Sequence, residues 1–334
     1  MTSARLVYVL SPAKTLNMAT TSITQCTQPR FLSDTHELIE QLRSLSHTQV
    51  KSLLGVNDAL TKLNYDRYQA FDTLKTATEA TNPSKSLKQA VLAFHGPAYQ
   101  GLDAQHMSTK DLHFAQSHLR ILSGLYGILR PLDLIQPYRF EMGQKFHTNR
   151  GKNLYEFWAQ TLVFELDALF SREEANEGMK QQRVLVNVAS QEYFKTLSCS
   201  ALTAAGIVVV HCVFKDDGKI KSVYAKRARG LMCKYLIQNR VDSLEGIARF
   251  NLEGYQFSNK VSSDDTYVFT RTGAAKEKLR LQQIKAMFSQ KTKREANRTE
   301  KNVDKTQSTD EIEIDDTGNE HQPRRSMRKK QKTK

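Results

Sequence analysis

The chain has 334 residues, of which 39% are hydrophobic, and a formal charge of +14. That length and apolar content suffice for one large core or two small ones. Four scattered cysteines without a C-x-x-C pair argue against a disulfide framework or a zinc site, and no apolar run approaches the roughly 18 residues of a membrane span.

In chain order, Leu6–Leu10 reads as a buried strand, too short to be a secretory signal. Asp34 followed by Glu37 opens a helical pattern through Leu38, Ile39, Leu42 and Leu45. Thr48–Phe71 reads as two helices broken at Gly55, and Asn82-Pro83-Ser84 as a turn. Ala90–Phe94 is expected to be a second buried strand. Asp111–Leu122 is expected to be helical, as is Leu154–Phe170, whose stripe is Tyr155, Trp158, Leu162, Leu166 and Leu169. Arg183–Ser190 reads as a strand leading into a helix. The runs "IVVVHCVF" and "IKSVYA" flank Asp216-Asp217-Gly218-Lys219, a hairpin signal. Ala228–Asn239 is helical by pattern, and Tyr255–Phe257 and Tyr267–Thr270 read as short final strands.

Alternating strands and helices make the class mixed α/β with one main sheet. Residues 1–273 form the expected body, and 274–298 a basic helix with a thin apolar stripe. Residues 299–334 form a charged tail expected to be disordered, with an acidic block at Asp310–Asp316 and seven Lys/Arg in the closing eleven residues. Ala275–Lys334 holds 17 Lys/Arg against 10 Asp/Glu, so it carries half of the net charge. The body is expected in the cytosol. The basic end is of the kind that binds DNA nonspecifically and that nuclear import receptors read.

Common catalytic signatures are absent: no G-x-G-x-x-G, no Walker A loop, no H-E-x-x-H and no G-x-S-x-G. His113 and His118 are spaced wrongly for one helical face and read as ordinary histidines. No cofactor or metal site is expected.

Four stretches carry unusual polar content. "SPAKT" places Lys14 directly after the first strand, where open sheets bind ligands, or else leaves it a solvated lysine. "NVASQEYFK" offers Ser190 as a helix cap, with Tyr193 and with Lys195 near enough to help hold an anion. "YAKRARG" crowds Lys226, Arg227 and Arg229 into about one turn, which calls for screening by water or an anion. "VKSLLGVNDALTKLN" has the plan of a helix-hairpin-helix or of an ordinary helical hairpin. Gly55 permits a positive φ at its turn, Asn57 substitutes for a second glycine, and Lys51 and Lys62 flank it.

These stretches occur in order with "LAFHGPAYQGL", "LRILSGLYGILRPLDLIQPYRFEMG", "NLYEFW" and "NLEGYQF". Together they resemble the bacterial peroxide stress protein YaaA family from about Leu6 to Arg271. The resemblance implies one compact mixed α/β domain with a helix-hairpin-helix element and a basic cleft. It implies binding of double-stranded DNA and limitation of iron-dependent damage during hydrogen peroxide stress. Two departures stand out: His95 occupies a position where the family pattern suggests lysine, and Gln191 one where it suggests aspartate. Within that reading, Leu122–Gly143 is a bent apolar wall presenting Tyr138, Arg139 and Glu141 at a rim. Arg139 would grip a phosphate and Glu141 would orient Arg139 or a neighbouring lysine, or else the two form an internal pair that only holds the loop.

Two functions follow as expectations. The first is a non-enzymatic DNA-binding stress protein. Its phosphate contacts would come from Lys14, Arg139, Lys226, Arg229 and the hairpin around Gly55–Asp58, with weak sequence preference. The second is an enzyme acting on a small anionic nucleotide- or nucleobase-like substrate. The sequence leaves oligomeric state open.

Overall fold

The computed structural model describes residues 4–73, 86–177, 181–282 and 284–285. The contacts within the chain divide it into two units, Met1–Glu277 and Lys278–Lys334. In the first unit the strands in chain order are β1 (Ala4–Leu10), β2 (Thr15–Leu16), β3 (Lys88–Gln89), β4 (Phe94–His95), β5 (Leu119–Ser123) and β6 (Gly127–Leu129). There follow β7 (Leu134–Ile135), β8 (Gln182–Asn187), β9 (Ile207–Asp216), β10 (Gln256–Phe257) and β11 (Thr266–Arg271).

Seven of them form one sheet in the order β10-β11-β9-β8-β1-β5-β6. The five central strands run parallel, and β10 and β6 close the edges antiparallel. Helices cover a parallel sheet on both faces, so its strands read as continuous apolar runs. Leu6–Leu10 in β1 and Val184–Val186 in β8 are accordingly buried. From β1 the chain passes to β5 on one side, then returns to β8 on the other and moves outward to β9 and β11. The crevice beyond the carboxyl ends of β1 and β8 is therefore a switch point, where open α/β sheets bind ligands.

The mixed α/β class with one main sheet holds. Several elements differ from their sequence pattern. Ala90–Ala93 is one helical turn between β3 and β4, not a strand. Burial on all sides made the run apolar, and apolarity alone cannot separate a buried strand from a buried helix. The helix expected over Asp111–Leu122 is Thr109–His118, and Leu119–Ser123 is β5. The turn at Asp217-Gly218 forms, with both φ angles positive (52° and 77°), but its second strand does not. The chain enters the helix Ser222–Gln238 instead, while β9 pairs with β8 and β11. The Asn82–Ser84 turn and the 299–334 tail lie outside the described residues. Residues 273–282 and 284–285 are helical, at the start of the expected basic helix.

The helices Pro97–Leu102 and Ser222–Gln238 approach backbone to backbone. A Cβ on Gly230 would lie 1.7 Å from the Ala98 carbonyl oxygen, and one on Gly101 would lie 2.3 Å from that of Arg227. This contact fixes Lys226 and Arg229 beside the loops that follow β1 and β4. Among the described residues, no helix is long and apolar enough to cross a membrane.

Candidate functional site

A cavity of about 280 Å³ opens at the carboxyl ends of β1 and β8. The loop Ser11–Thr15 forms one side, the turn after β4 another, and Tyr138–Glu141 a third. Ser190, Glu192, Tyr193, Lys226 and Arg229 complete it. The two strand ends are stapled together: the Ser190 amide donates to Ser11 Oγ at 2.8 Å, and Ser11 Oγ donates to Ser190 Oγ at 3.2 Å. Tyr99 holds the same loop by donating to the Ser11 carbonyl at 3.1 Å.

Leu122–Gly143 is the wall that its prolines and glycines suggest. Trp158 Nε1 donates to the Gly124 carbonyl at 2.9 Å, and Gln136 N donates to the Tyr126 hydroxyl at 3.1 Å. The Tyr138 hydroxyl pairs with Ser123 Oγ at 2.6 Å. Tyr138 is therefore buried in the wall and not presented at the rim. Its ring packs against Phe94 and Tyr126, which requires the inward orientation. Burial drives the phenols of Tyr99, Tyr138 and Tyr193 far above the ordinary range, so all three stay neutral; of them Tyr138 and Tyr193 line the cavity.

The charges fall into two groups. Glu141 Oε1 accepts from Arg139 Nε at 3.1 Å and from Lys14 Nζ at 3.2 Å, while Oε2 accepts from Gln144 at 3.1 Å. Burial opposes ionisation of Glu141. The Gln144 hydrogen bond and the cations Arg139 and Lys14 outweigh it and hold the carboxyl below the usual range. Glu141 has a 6% exposed side chain and Lys14 a 63% exposed one, so Glu141 anchors the network and Lys14 reaches into solvent. Glu192 Oε1 accepts from the Gly143 amide at 3.2 Å.

The second group is Lys226 and Arg229, three residues apart on one helix. Among the described residues neither has a carboxylate partner. Arg229 is partly buried, its Nε is shielded from solvent, and that atom meets no acceptor. Burial pushes its guanidinium down from the usual arginine range. Arg227 between them turns away to Glu253, at 2.9 and 3.1 Å from Nε.

The structure thus brings Lys14, Arg139, Glu141, Ser190, Tyr193, Lys226 and Arg229 to one cavity. It does not bring Lys195, which lies over the Tyr155 ring at 5.1 Å, outside the lining. Ser190 occupies the N-cap position, but its side chain makes no capping bond because its hydroxyl serves the Ser11 staple. His95 lines the cavity, whereas Gln191 does not and its neighbour Glu192 does. Glu192, Phe140 and the backbone around Gly96 are lining residues that the sequence pattern did not single out. Glu192 could have been found from its place in "NVASQEYFK", one residue before Tyr193.

The two expected hairpin helices are His47–Leu54 and Asp58–Ala70. Gly55 takes the left-handed conformation, at φ 60°. Asn57 does not: it is extended and caps the second helix, accepting from the Leu60 amide at 3.0 Å. Its side chain satisfies an orphan helix donor, which accounts for its presence without a glycine-like role. Lys51 pairs with Asp58 and Lys62 with Asp66, both at 2.7 Å. None of Lys51, Gly55, Asn57 and Lys62 lines the cavity. The link between hairpin and cavity is Tyr68, whose hydroxyl donates to the Arg139 carbonyl. Among the described residues, no group of three or more His, Cys, Asp or Glu side chains could hold a metal ion.

Comparison with known proteins places this geometry in context. The family described as peroxide stress protein YaaA matches residues 6–261. A UPF0246 protein of Burkholderia mallei (strain SAVP1) is 46% identical over 275 residues, covering 81% of this chain and all of its own. A UPF0246 protein of Burkholderia thailandensis is 47% identical over 276 residues, with the same coverage. Residues beyond 261 fall outside the family match.

Proposed function

The chain belongs to the peroxide stress protein YaaA family, and from that premise we propose that it acts in peroxide stress by binding double-stranded DNA through its phosphates, so limiting iron-dependent damage. The observation that supports this reading is the charge at the cavity mouth. Four cations stand against two carboxylates there, and among the described residues Lys226 and Arg229 have no carboxylate partner. A cavity of this size does not admit a duplex, so backbone contacts fall at its mouth. The hairpin contributes its turn backbone more than its lysines, because Asp58 and Asp66 already neutralise Lys51 and Lys62. Phosphate contacts position a protein without reading bases, so sequence preference is weak.

A salt titration tests it. With four phosphate contacts, affinity for a duplex falls roughly a hundredfold between 50 and 200 mM salt. The double variant Lys226→Gln/Arg229→Gln lowers the slope of log affinity against log salt by about 2. Salt-independent binding, or a slope unchanged in the variant, overturns the reading.

The tail is tested separately. Truncation after Arg298 is expected to leave a folded body, because residues 299–334 hold too little apolar area to offset their ordering entropy. It is also expected to weaken duplex binding at low salt without altering sequence preference. Equal affinity of the truncated and full chains removes the tail from DNA binding.

A further inference from the structure

The same cavity holds a second feature that duplex binding does not use: its interior is amphoteric. Lys14 and Arg139 are compensated by Glu141, whereas among the described residues Lys226 and Arg229 meet no carboxylate. Side chains three apart on a helix are neighbours, about 5–6 Å between Cβ atoms, so two uncompensated cations repel each other there. A shielded guanidinium nitrogen without an acceptor is a group that native proteins rarely leave unmatched. Both observations call for one compact, highly charged anion at this helix.

The rest of the lining calls for something else. Glu141 is held ionised and buried, and its Oε2, which takes only the Gln144 amide, retains acceptor capacity, whereas Oε1 is already met by Arg139 and Lys14. Glu192 also lines the cavity, and one of its carboxylate oxygens takes the Gly143 amide. These carboxylates match hydrogen-bond donors on a ligand. The lining also carries apolar side chains, among them Pro12, Ala13, Pro97 and Phe140. Small-molecule sites range upward from about 300 Å³, so a cavity of about 280 Å³ takes one small molecule.

We infer that the cavity is a binding site for a nucleoside monophosphate, with its phosphate on Lys226 and Arg229 and the N–H edge of its base toward Glu141 and Glu192. A phosphate monoester supplies the charge and several acceptor oxygens for an arginine fork and a lysine. A nucleobase supplies both a flat body for the apolar side chains and the donors that the carboxylates lack. Inorganic phosphate satisfies only the cationic end. The site uses the cations of the proposed DNA contact, but it is occupied without DNA, so the two readings fail independently.

Isothermal titration of the full chain, free of DNA, with inorganic phosphate and with AMP and GMP in turn decides it. At least one monophosphate binds one-to-one and about tenfold or more tighter than inorganic phosphate. Arg229→Gln weakens it by about tenfold or more. Because Arg229 is partly buried, Lys226→Gln at its exposed neighbour is the companion variant, and it weakens the same ligand while thermal unfolding stays unchanged. Glu141→Gln narrows the gap between monophosphate and inorganic phosphate. The inference is overturned if neither monophosphate outbinds inorganic phosphate, or if Lys226→Gln leaves their affinities unchanged. Loss of duplex binding with monophosphate binding intact overturns the DNA reading alone.

Discussion

Gly230→Ala is expected to lower the unfolding free energy by about 3 kcal/mol or more, read as a shift of the urea midpoint with little change in slope. The reason is geometric. The added methyl would sit 1.7 Å from the Ala98 carbonyl oxygen and 2.8 Å from the Leu102 amide nitrogen. Both are backbone atoms of a helix packed from the other side, so no side chain can rotate away. The two helices must move apart, and separation opens the apolar contacts around Tyr99, Leu102, Ala228 and Leu231, all of them buried. The effect extends to the cavity, because Lys226 and Arg229 ride on the same helix and Tyr99 holds the Ser11 loop. Residual folded Gly230→Ala protein therefore also binds phosphate ligands more weakly. Lys226→Gln, at an exposed position on that helix, is the control and leaves the midpoint in place. A Gly230→Ala protein as stable as the parent would mean that the helices do not meet at Gly230.

This contact also marks how far the sequence could be read. "YAKRARG" identifies its cations from charge alone, and the alternation of strands and helices identifies the sheet. Strand-end loops are where α/β sheets bind ligands, so Lys14 and Ser190 were legible as neighbours once both strands were recognised. The close approach at Gly230 was not legible, since a glycine within a helix pattern does not name its partner. β5 was hidden for a different reason. Leu112, Ala115, Leu119 and Leu122 continue a helical spacing across the junction, and no glycine or proline interrupts it. Only pairing within the sheet makes Leu119–Ser123 a strand, with Tyr8 of β1 opposite Leu119 and Leu10 opposite Ile121, and with β6 along its other edge. All five residues are buried, Arg120 included, so the alternation that betrays a half-exposed strand is absent. The hairpin lysines show the converse limit. Charge counting sees Lys51 and Lys62, but the partners Asp58 and Asp66 neutralise them only once the helices form.

His118 gives the second large effect, and it is one of pH. Its ring is 8% exposed, stacks on Phe114 at 3.7 Å between centroids and lies 6.1 Å from Tyr8. Nδ1 is 2.8 Å from the Phe114 carbonyl, and Nε2 is 2.8 Å from Arg5 Nη1. A carbonyl can only accept and a guanidinium can only donate, so the tautomer with hydrogen on Nδ1 satisfies both. A second proton on Nε2 would face Arg5 directly. Burial, and then the charge of Arg5, push the imidazole down to about 3, with Arg120 and Arg240 acting in the same direction. In the unfolded chain histidine titrates near 6.5. Between these values the unfolded state binds the extra proton and the folded state does not, so stability rises with pH across that window and falls as pH drops. The full effect approaches about 4 kcal/mol at pH 3, and about 2 kcal/mol is already lost at pH 5. Above about pH 6.5 the group adds no pH dependence. His118→Gln keeps an acceptor for Arg5 but cannot take the proton. The fall in urea-unfolding free energy from pH 7.5 to pH 5 is therefore expected to be about 2 kcal/mol smaller in His118→Gln than in the parent chain. An identical fall in both proteins would assign the acid sensitivity to other groups and would place His118 in contact with water.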